Sequence, residues 1–261
     1  MIETQTLKVV LIGSGNVAWH IGKAMIDNGI EILQLYSPHH AGELAKEWNV
    51  PFTHKLSLLN DKADIYLFAI KDDGYEDIAH QFPFQNKCMI HTSGSVDLDV
   101  FQSVTSFRGV LYPFQTFTKG MTLSFKEVPL CMEASDKKTA KLIEKLAPIL
   151  SNRCYKINTL QRKQLHLAGV FACNFTNAMY CIAKKILEEY DMDFSLLIPL
   201  INETTRKVNV LSPEKAQTGP AVRSDTKIMN KHIELISDKN SKQIYSLISK
   251  IIQEKYSVTG I

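Results

Sequence analysis

The chain has 261 residues, 45% of them hydrophobic and 22% charged, with a formal net charge of +3. That is enough for one large core or two modest ones, and the proportions are those of a globular protein rather than a fibrous or disordered one. Lys and Arg are spread along the sequence, so no basic stripe of the kind nucleic acid requires is present.

Residues 1–6 are short and polar, which leads one to expect neither a secretory signal nor a targeting presequence. The run Val9-Val10-Leu11-Ile12 then leads into Gly13-Ser14-Gly15-Asn16-Val17-Ala18, and Val17, Ile21 and Met25 recur at helical spacing. This reads as strand, tight turn and helix, with the Gly-x-Gly-x-x-Ala pattern of a dinucleotide site. Gly13 permits the sharp turn, Gly15 has no side chain to hold a pyrophosphate away, and Ala18 lets helix and strand pack closely. The helix N-terminus directs unpaired N–H groups at an anion. The competing reading is a tight turn with no ligand.

Asn28-Gly29 stops that helix, 30–36 forms a second strand, and 41–48 a short helix; 56–60 makes a further helical turn. Ala63-Asp64-Ile65-Tyr66-Leu67-Phe68-Ala69-Ile70 is a buried strand, followed by an acidic helix start at Asp72-Asp73 and a helix over 75–81. Residues 87–92 form one more strand, ending in His91-Thr92-Ser93-Gly94-Ser95. This alternation predicts a parallel sheet covered on both faces, with ligands outside the carboxyl ends of its strands. An aromatic-rich segment follows at 107–117, then a strand over 128–132, a helix to 150 capped by Asp136, and a last strand over 153–157. Beyond Thr159 the pattern is helical: 160–190, 195–211, 227–237 and 241–256.

An NAD site places a carboxylate about twenty residues past the glycines, on the ribose 2′-hydroxyl. Here the second strand ends Leu35-Tyr36-Ser37 and no carboxylate follows until Glu43, which favours the 2′-phosphate of NADP over NAD. Ser37 can donate to that phosphate, and His39 or His40 can add a donor; the alternative leaves both histidines as exposed loop residues.

On a wheel of 160–190, Lys163, His166, Val170, Cys173, Asn174, Asn177 and Cys181 fall within about a third of the circumference. Apolar residues opposite them predict a buried helix, and buried polar groups need partners, which a substrate pocket beside the nicotinamide would supply. The alternative is internal polar glue. In the first reading His166 is the acid or base, since imidazole titrates nearest neutrality, and Asn174 orients the reacting group. Residues 165–183 carry no Lys, Arg, Asp or Glu, but His166, Asn174 and Asn177 argue against a membrane span. Near 217–225, Gly219-Pro220 fixes a turn, Arg223 and Asp225 can clamp a carboxylate or pair together, and Asp225 as an N-cap is the simpler role. Cys88, Cys131, Cys154, Cys173 and Cys181 are odd in number with no C-x-x-C pair, which predicts reduced thiols in a cytoplasmic protein and no metal centre.

These pieces together resemble the short-subunit NADP oxidoreductases that join a Rossmann-like domain to a helical C-terminal domain of unassigned function. That family is similar to pyrroline-5-carboxylate reductase and the wider 6-phosphogluconate-dehydrogenase-like group. The resemblance is carried by the glycine turn, the His91-Thr92-Ser93-Gly94-Ser95 segment, Tyr112-Pro113-Phe114-Gln115-Thr116-Phe117, the stretch from His166 to Phe175, and Thr218-Gly219-Pro220-Ala221-Val222-Arg223-Ser224-Asp225. It implies NADP binding, a homodimer built through the helical domains, and a cleft lined by His166 and Asn174. Two departures stand out. Pro38 replaces the Arg that the family often has after the serine, shifting weight to His39 and His40. Leu167, rather than Asn, stands four residues after Lys163, so the catalytic roles of related hydroxyacid dehydrogenases do not carry over.

The expectation is an α/β fold, a Rossmann-type doubly wound parallel sheet over 1–157 followed by an all-α substrate and dimerisation domain over 158–261. The expected function is NADP-dependent hydride transfer to or from a small polar carbonyl or imine. Gly13, Ser14, Gly15, Asn16 and Val17 would hold the pyrophosphate, Ser37 with His39 or His40 the 2′-phosphate, and Lys71, Thr92, Ser93 and Gly94 the nicotinamide half. His166, Asn174 and Arg223 would act on the substrate, with no nucleic acid or membrane as partner. The rival is a non-catalytic NADP(H)-binding sensor that reports to a partner through its helical domain.

Overall fold

The computed structural model describes residues 6–257, so 1–5 of the polar leader and 258–261 lie outside the described residues. The chain divides into two compact units, one ending at Cys173 and the other starting at Asn174. The boundary expected after Ile157 falls earlier, at the end of the last strand.

The first unit is built on an eight-stranded sheet in the order β3-β2-β1-β4-β5-β6-β7-β8. The strands are β1 (Lys8–Ile12), β2 (Glu31–Tyr36), β3 (Phe52–Thr53), β4 (Ile65–Phe68), β5 (Met89–His91), β6 (Arg108–Pro113), β7 (Leu130–Ala134) and β8 (Cys154–Lys156). Strand order reverses between β1 and β4, the switch point where doubly wound sheets open a crevice at their carboxyl ends. The sheet is parallel except at one junction: β6 and β7 are antiparallel, with Pro113 opposite Leu130. The doubly wound, mostly parallel sheet expected from the sequence is present, with this one antiparallel pair within it. Between β6 and β7 the only helical element is a 3-10 turn at Phe125–Glu127, so no crossover helix carries the chain back to start β7 in the same direction as β6. β6 itself occupies the segment that reads from sequence only as aromatic-rich.

The apolar run of β1 is buried on both faces, as a central strand must be. Val9 and Leu11 enter one core cluster while Val10 and Ile12 enter the other. Helices α1 (Asn16–Asp27) and α2 (Ala41–Trp48) place Ile21, Met25 and Leu44 in the first cluster. On the opposite face, α3 (Tyr75–Gln81) and the 3-10 turn Leu98–Phe101 supply Tyr75, Ala79 and Phe101. The helix α4 (Lys137–Leu150) returns to the first face with Ile143 and Leu146, and Asp136 caps it as expected, accepting from the Lys138 and Thr139 N–H groups at 2.7 and 3.0 Å.

The helix expected over 160–190 is a continuous run, Thr159–Glu188. It comprises α5 (Thr159–Gly169), a π-helical segment Val170–Phe175, and α6 (Thr176–Glu188). Two features of the expectation need correction. The π turn interrupts the 100° progression on which a single wheel depends. The run is also not buried: Arg162 alone is fully enclosed, while Leu167, Phe171 and Phe175 are 52%, 64% and 48% exposed. Among the described residues it is long and apolar enough to cross a membrane, by length and composition only.

The second unit adds α7 (Ile198–Val210), the short α8 (Pro213–Ala216), α9 (Thr226–Leu235) and α10 (Lys239–Ser257). Its buried hydrophobic residues among those described are Ala221, Met229 and Ile236, whereas Leu196, Leu200, Val210 and Leu247 are each more than 60% exposed. The amphipathic periodicity is present, but the described residues of one chain do not cover it.

Candidate active site

At the end of β1 the chain turns through Gly13, whose φ of +123° lies in the left-handed region. Its N–H donates to the Tyr36 carbonyl at 2.8 Å, and a Cβ there would stand 2.1 Å from the Ala69 carbonyl oxygen. Gly15 caps α1 in an extended conformation, and a Cβ on it would meet nothing within 4 Å. The first bond of α1 runs from Trp19 N–H to the Gly15 carbonyl at 2.9 Å, so the N–H groups of Asn16, Val17 and Ala18 precede any helical acceptor. No acidic side chain occupies that first turn. The result is an open cradle of backbone donors at a positive helix end, suited to an anion.

The Asn16 side chain is committed elsewhere. Its Nδ2 donates to the Phe117 carbonyl at 3.0 Å and its Oδ1 accepts from Lys119 N–H at 3.3 Å, while His20 Nε2 lies 3.0 Å from the Thr118 carbonyl. The loop after β6 is thereby strapped to the first two turns of α1. This gives the segment 112–117 a structural task that its aromatic composition did not announce.

Ser14 and Ser37, chosen from sequence for separate reasons, meet. The Ser14 hydroxyl donates to that of Ser37 at 2.9 Å, and Ser37 is 6% exposed at the end of β2. His39 and His40 sit exposed on the following turn, their ring centroids 6.2 Å apart. His54 joins them, its Nδ1–H donating to the Ser37 carbonyl at 2.7 Å. The sequence reading missed His54 because β3, which delivers it, is only two residues long.

At the end of β4, Lys71 is exposed and precedes a 3-10 turn at Asp72–Gly74. The hydroxyls expected near the nicotinamide are used by their own loop. Thr92 Oγ1 donates to the Phe68 carbonyl at 3.1 Å, and Ser93 Oγ accepts from the N–H groups of Ser95 and Val96, each at 3.1 Å. What this loop offers is backbone and the bare Cα of Gly94. A Cβ on Gly94 would lie 2.6 Å from His166 Nδ1 and 2.8 Å from Tyr112 Cζ, so the loop after β5, the end of β6 and α5 converge here. Tyr112 Oη and His166 Nδ1 are 3.0 Å apart. Burial pushes the Tyr112 phenol up to about 12, with Cys131 acting in the same direction and Arg162 against it.

Arg162, one turn before His166, is fully enclosed. Its Nη1 donates to the Ser93 and Val96 carbonyls at 3.0 and 2.7 Å, and its Nη2 meets Glu133 Oε2 at 3.2 Å. Glu133 also accepts from the Thr159 N–H at 2.7 Å. The start of α5 is set by a reciprocal cap in which Asn158 Oδ1 accepts from Gln161 N–H and Gln161 Oε1 from Asn158 N–H, at 2.8 and 2.9 Å. Lys163 forms a half-exposed ion pair with Asp97 at 2.9 Å.

His166, Asn174 and Asn177 are all exposed, so the helix carries no buried polar stripe at these positions. What distinguishes His166 is its contact with Tyr112 and Gly94. Asn174 lies in the π segment and belongs to the second unit. Arg223 is exposed there on a turn between Gly219 and Ser224, both with positive φ, and Asp225 caps α9 by accepting from Ile228 N–H at 3.2 Å. Among the described residues no cluster of three or more His, Cys, Asp or Glu could hold a metal, and the five cysteines are free.

Residues 8–94 match the family described as NADP oxidoreductase, coenzyme F420-dependent, and residues 128–252 match a domain of unknown function, DUF2520. A solved structure from Bacteroides fragilis, provisionally described as an NADP oxidoreductase, is 39% identical, with 95% of this chain and 98% of that chain covered and a TM-score of 0.89. A reductive aminase from Aspergillus terreus, solved with NADPH and ethyl levulinate, is 11% identical over 96% of this chain and 95% of its own, with a TM-score of 0.72. A 1-pyrroline-5-carboxylate reductase from Streptococcus pyogenes is 15% identical over 97% of this chain and 99% of its own, with a TM-score of 0.64. The last two are alike in fold alone. No curated protein matches the chain.

Proposed function

Since this chain belongs to the family of NADP oxidoreductases that carry a helical second domain of unknown function, we propose that it transfers a hydride between NADP(H) and a small polar carbonyl or imine. The observation that carries this reading is the turn from β1 into α1. Gly13 is pressed against Ala69, space is open at Gly15, and the N–H groups of Asn16, Val17 and Ala18 have no helical acceptor. A pyrophosphate fits that cradle. Ser14 and Ser37, with His39, His40 and His54 around the end of β2, supply neutral or cationic donors for a 2′-phosphate, and no carboxylate stands among them. The bound cofactor supplies or accepts the hydride. The chain's own groups do the rest: in the first unit Lys71 and the backbone of 92–94 border the nicotinamide half and His166 handles the proton, while Asn174 and Arg223 are the polar groups that the second unit offers to a substrate.

Calorimetric titration tests the reading. NADPH should bind saturably and more tightly than NADH. Ser37→Asp, which sets a carboxylate against the 2′-phosphate, should weaken NADPH roughly ten- to hundredfold, about 1.4 to 2.8 kcal/mol, while leaving NADH unchanged or improved. If the unmodified protein shows no saturable binding of either nucleotide at millimolar levels, the proposal fails.

A homodimer through the helical unit belongs to the same proposal. A groove of about 430 Å³ is lined by Met179, Ile182, Ile186, Ile244, Ile248 and Ile252, and Leu200 and Leu247 stand exposed. A second copy of the chain would cover these faces, each buried Leu or Ile contributing about 1.5 to 3 kcal/mol. In size-exclusion chromatography with light scattering, the wild type should run as a dimer and a Leu200→Asp, Leu247→Asp variant as a monomer. A monodisperse wild-type monomer would contradict the assignment.

A further inference from the structure

We propose that Tyr112 positions and relays through His166: its hydroxyl donates to Nδ1, holding the imidazole as the Nε2–H tautomer and making that N–H the group offered to a reacting oxygen. The inference rests on His166 being the proton-handling residue, and it adds a second residue, a direction of transfer and a preferred acceptor.

The geometry comes from three elements of the first unit. Tyr112 is carried at the end of β6, His166 on α5, and the loop after β5 passes between them at Gly94, where any side chain would collide with both rings. The Oη to Nδ1 separation is 3.0 Å. A phenol hydroxyl is the stronger donor of the two groups and an imidazole nitrogen the stronger acceptor, which orders the bond O–H to N. The surroundings support that order. Burial holds the phenol up to about 12, so it keeps a proton to give. The Cys131 thiol, which pushes in the same direction, is itself pushed up to about 11 by burial and so carries no charge near neutrality. Arg162 opposes the shift, and the more weakly acting Asp72 adds to it. With Nδ1 occupied as an acceptor, the ring hydrogen of neutral His166 resides on Nε2.

The proton movement balances without any change of oxidation state. The Nε2 proton passes to the substrate oxygen and the Tyr112 proton passes to Nδ1. One proton leaves the imidazole as another enters, so the ring stays neutral with its tautomer exchanged, and a phenolate remains to be reprotonated by water. An alkoxide-like oxygen has a basicity approaching that of hydroxide, whose conjugate acid has a pKa of about 15.7, so transfer to it from a phenol runs downhill. An iminium, which already carries its proton, gains nothing from the relay. The pair therefore serves a substrate that reaches the site unprotonated, as a carbonyl does, and not an iminium.

The test reads the tautomer directly and needs neither cofactor nor substrate. In protein labelled with 15N-histidine, held at about pH 8.5, above the ordinary imidazole range, long-range 1H–15N correlation distinguishes pyridine-like from pyrrole-like ring nitrogens. His166→Gln assigns the signal. The wild type should show a pyridine-like Nδ1 and a pyrrole-like Nε2 at His166, and Tyr112→Phe should move both toward the averaged values of a free imidazole. A wild-type Nδ1–H tautomer overturns the proposal, as does a pattern that Tyr112→Phe leaves unchanged. The wild-type spectrum decides the direction of the bond even if the variant does not fold. Because nucleotide titration is a separate measurement, loss of the oxidoreductase reading and loss of this one are distinguishable.

Discussion

Gly13→Ala should lose NADPH binding altogether and unfold at a markedly lower urea concentration, with a destabilisation of about 3 kcal/mol or more. Two penalties act together. The native φ of +123° is a conformation that a residue with a Cβ rarely adopts. The added Cβ would also lie 2.1 Å from the Ala69 carbonyl oxygen and 2.8 Å from its carbon. Those atoms belong to backbone at the end of a central strand, not to a flexible side chain that could swing aside. Because the Gly13 N–H is bonded to the Tyr36 carbonyl, any shift is passed to the end of β2 and to Ser37 beside it. Gly15→Ala separates architecture from binding. Its backbone conformation is open to any residue and the space around it is empty, so stability should change by less than about 1 kcal/mol. A methyl group in the cradle should nonetheless weaken NADPH by roughly tenfold, about 1.4 kcal/mol. NADPH affinity unchanged in Gly15→Ala would mean that the phosphates do not rest where the turn suggests.

The parts of the molecule legible in the sequence are those whose cause is local. The run Val9-Val10-Leu11-Ile12, the glycines after it and the apolar spacing of α1 share one neighbourhood and describe one turn. β6 was not legible, since Arg108-Gly109-Val110-Leu111-Tyr112-Pro113 carries a glycine and a proline that dilute any strand pattern. Gly109 is needed for a reason seen only in three dimensions: a Cβ there would fall 2.6 Å from Ile143 Cδ1 on α4. The candidate site shows the same division. The helical wheel points to His166 through a burial it does not have, while its partner Tyr112 lies 54 positions away and appears in no periodicity. Arg162 passed unnoticed because a charged side chain is by default a surface one. In the helical unit, apolar spacing was read as burial; the spacing is present, but one chain's described residues do not cover it.

Arg162→Met should be the most damaging of the changes near the site, destabilising the protein by about 3 to 5 kcal/mol. The guanidinium is fully enclosed and Glu133 nearly so, so removing one partner strands a carboxylate as well as the Ser93 and Val96 carbonyls. Glu133→Gln keeps an acceptor for the Thr159 N–H without the charge, so the double variant Arg162→Met, Glu133→Gln should be more stable than Arg162→Met alone. Acid sensitivity gives an independent reading. His91 is fully buried, and burial first and Arg162 second bring its pKa down to about 3. Between that value and the ordinary imidazole value of about 6.5, the unfolded chain binds a proton that the native state does not. Stability therefore falls as pH drops through this window, by up to about 1.4 kcal/mol per pH unit. Without Arg162 the His91 pKa moves back toward its ordinary value, and the contribution of this group to the slope shrinks although total stability is lower. Urea unfolding of wild type and Arg162→Met at several pH values between about 4 and 8 compares the slopes directly. Parallel lines across that range would show that Arg162 has no hold on His91, leaving burial alone as the cause.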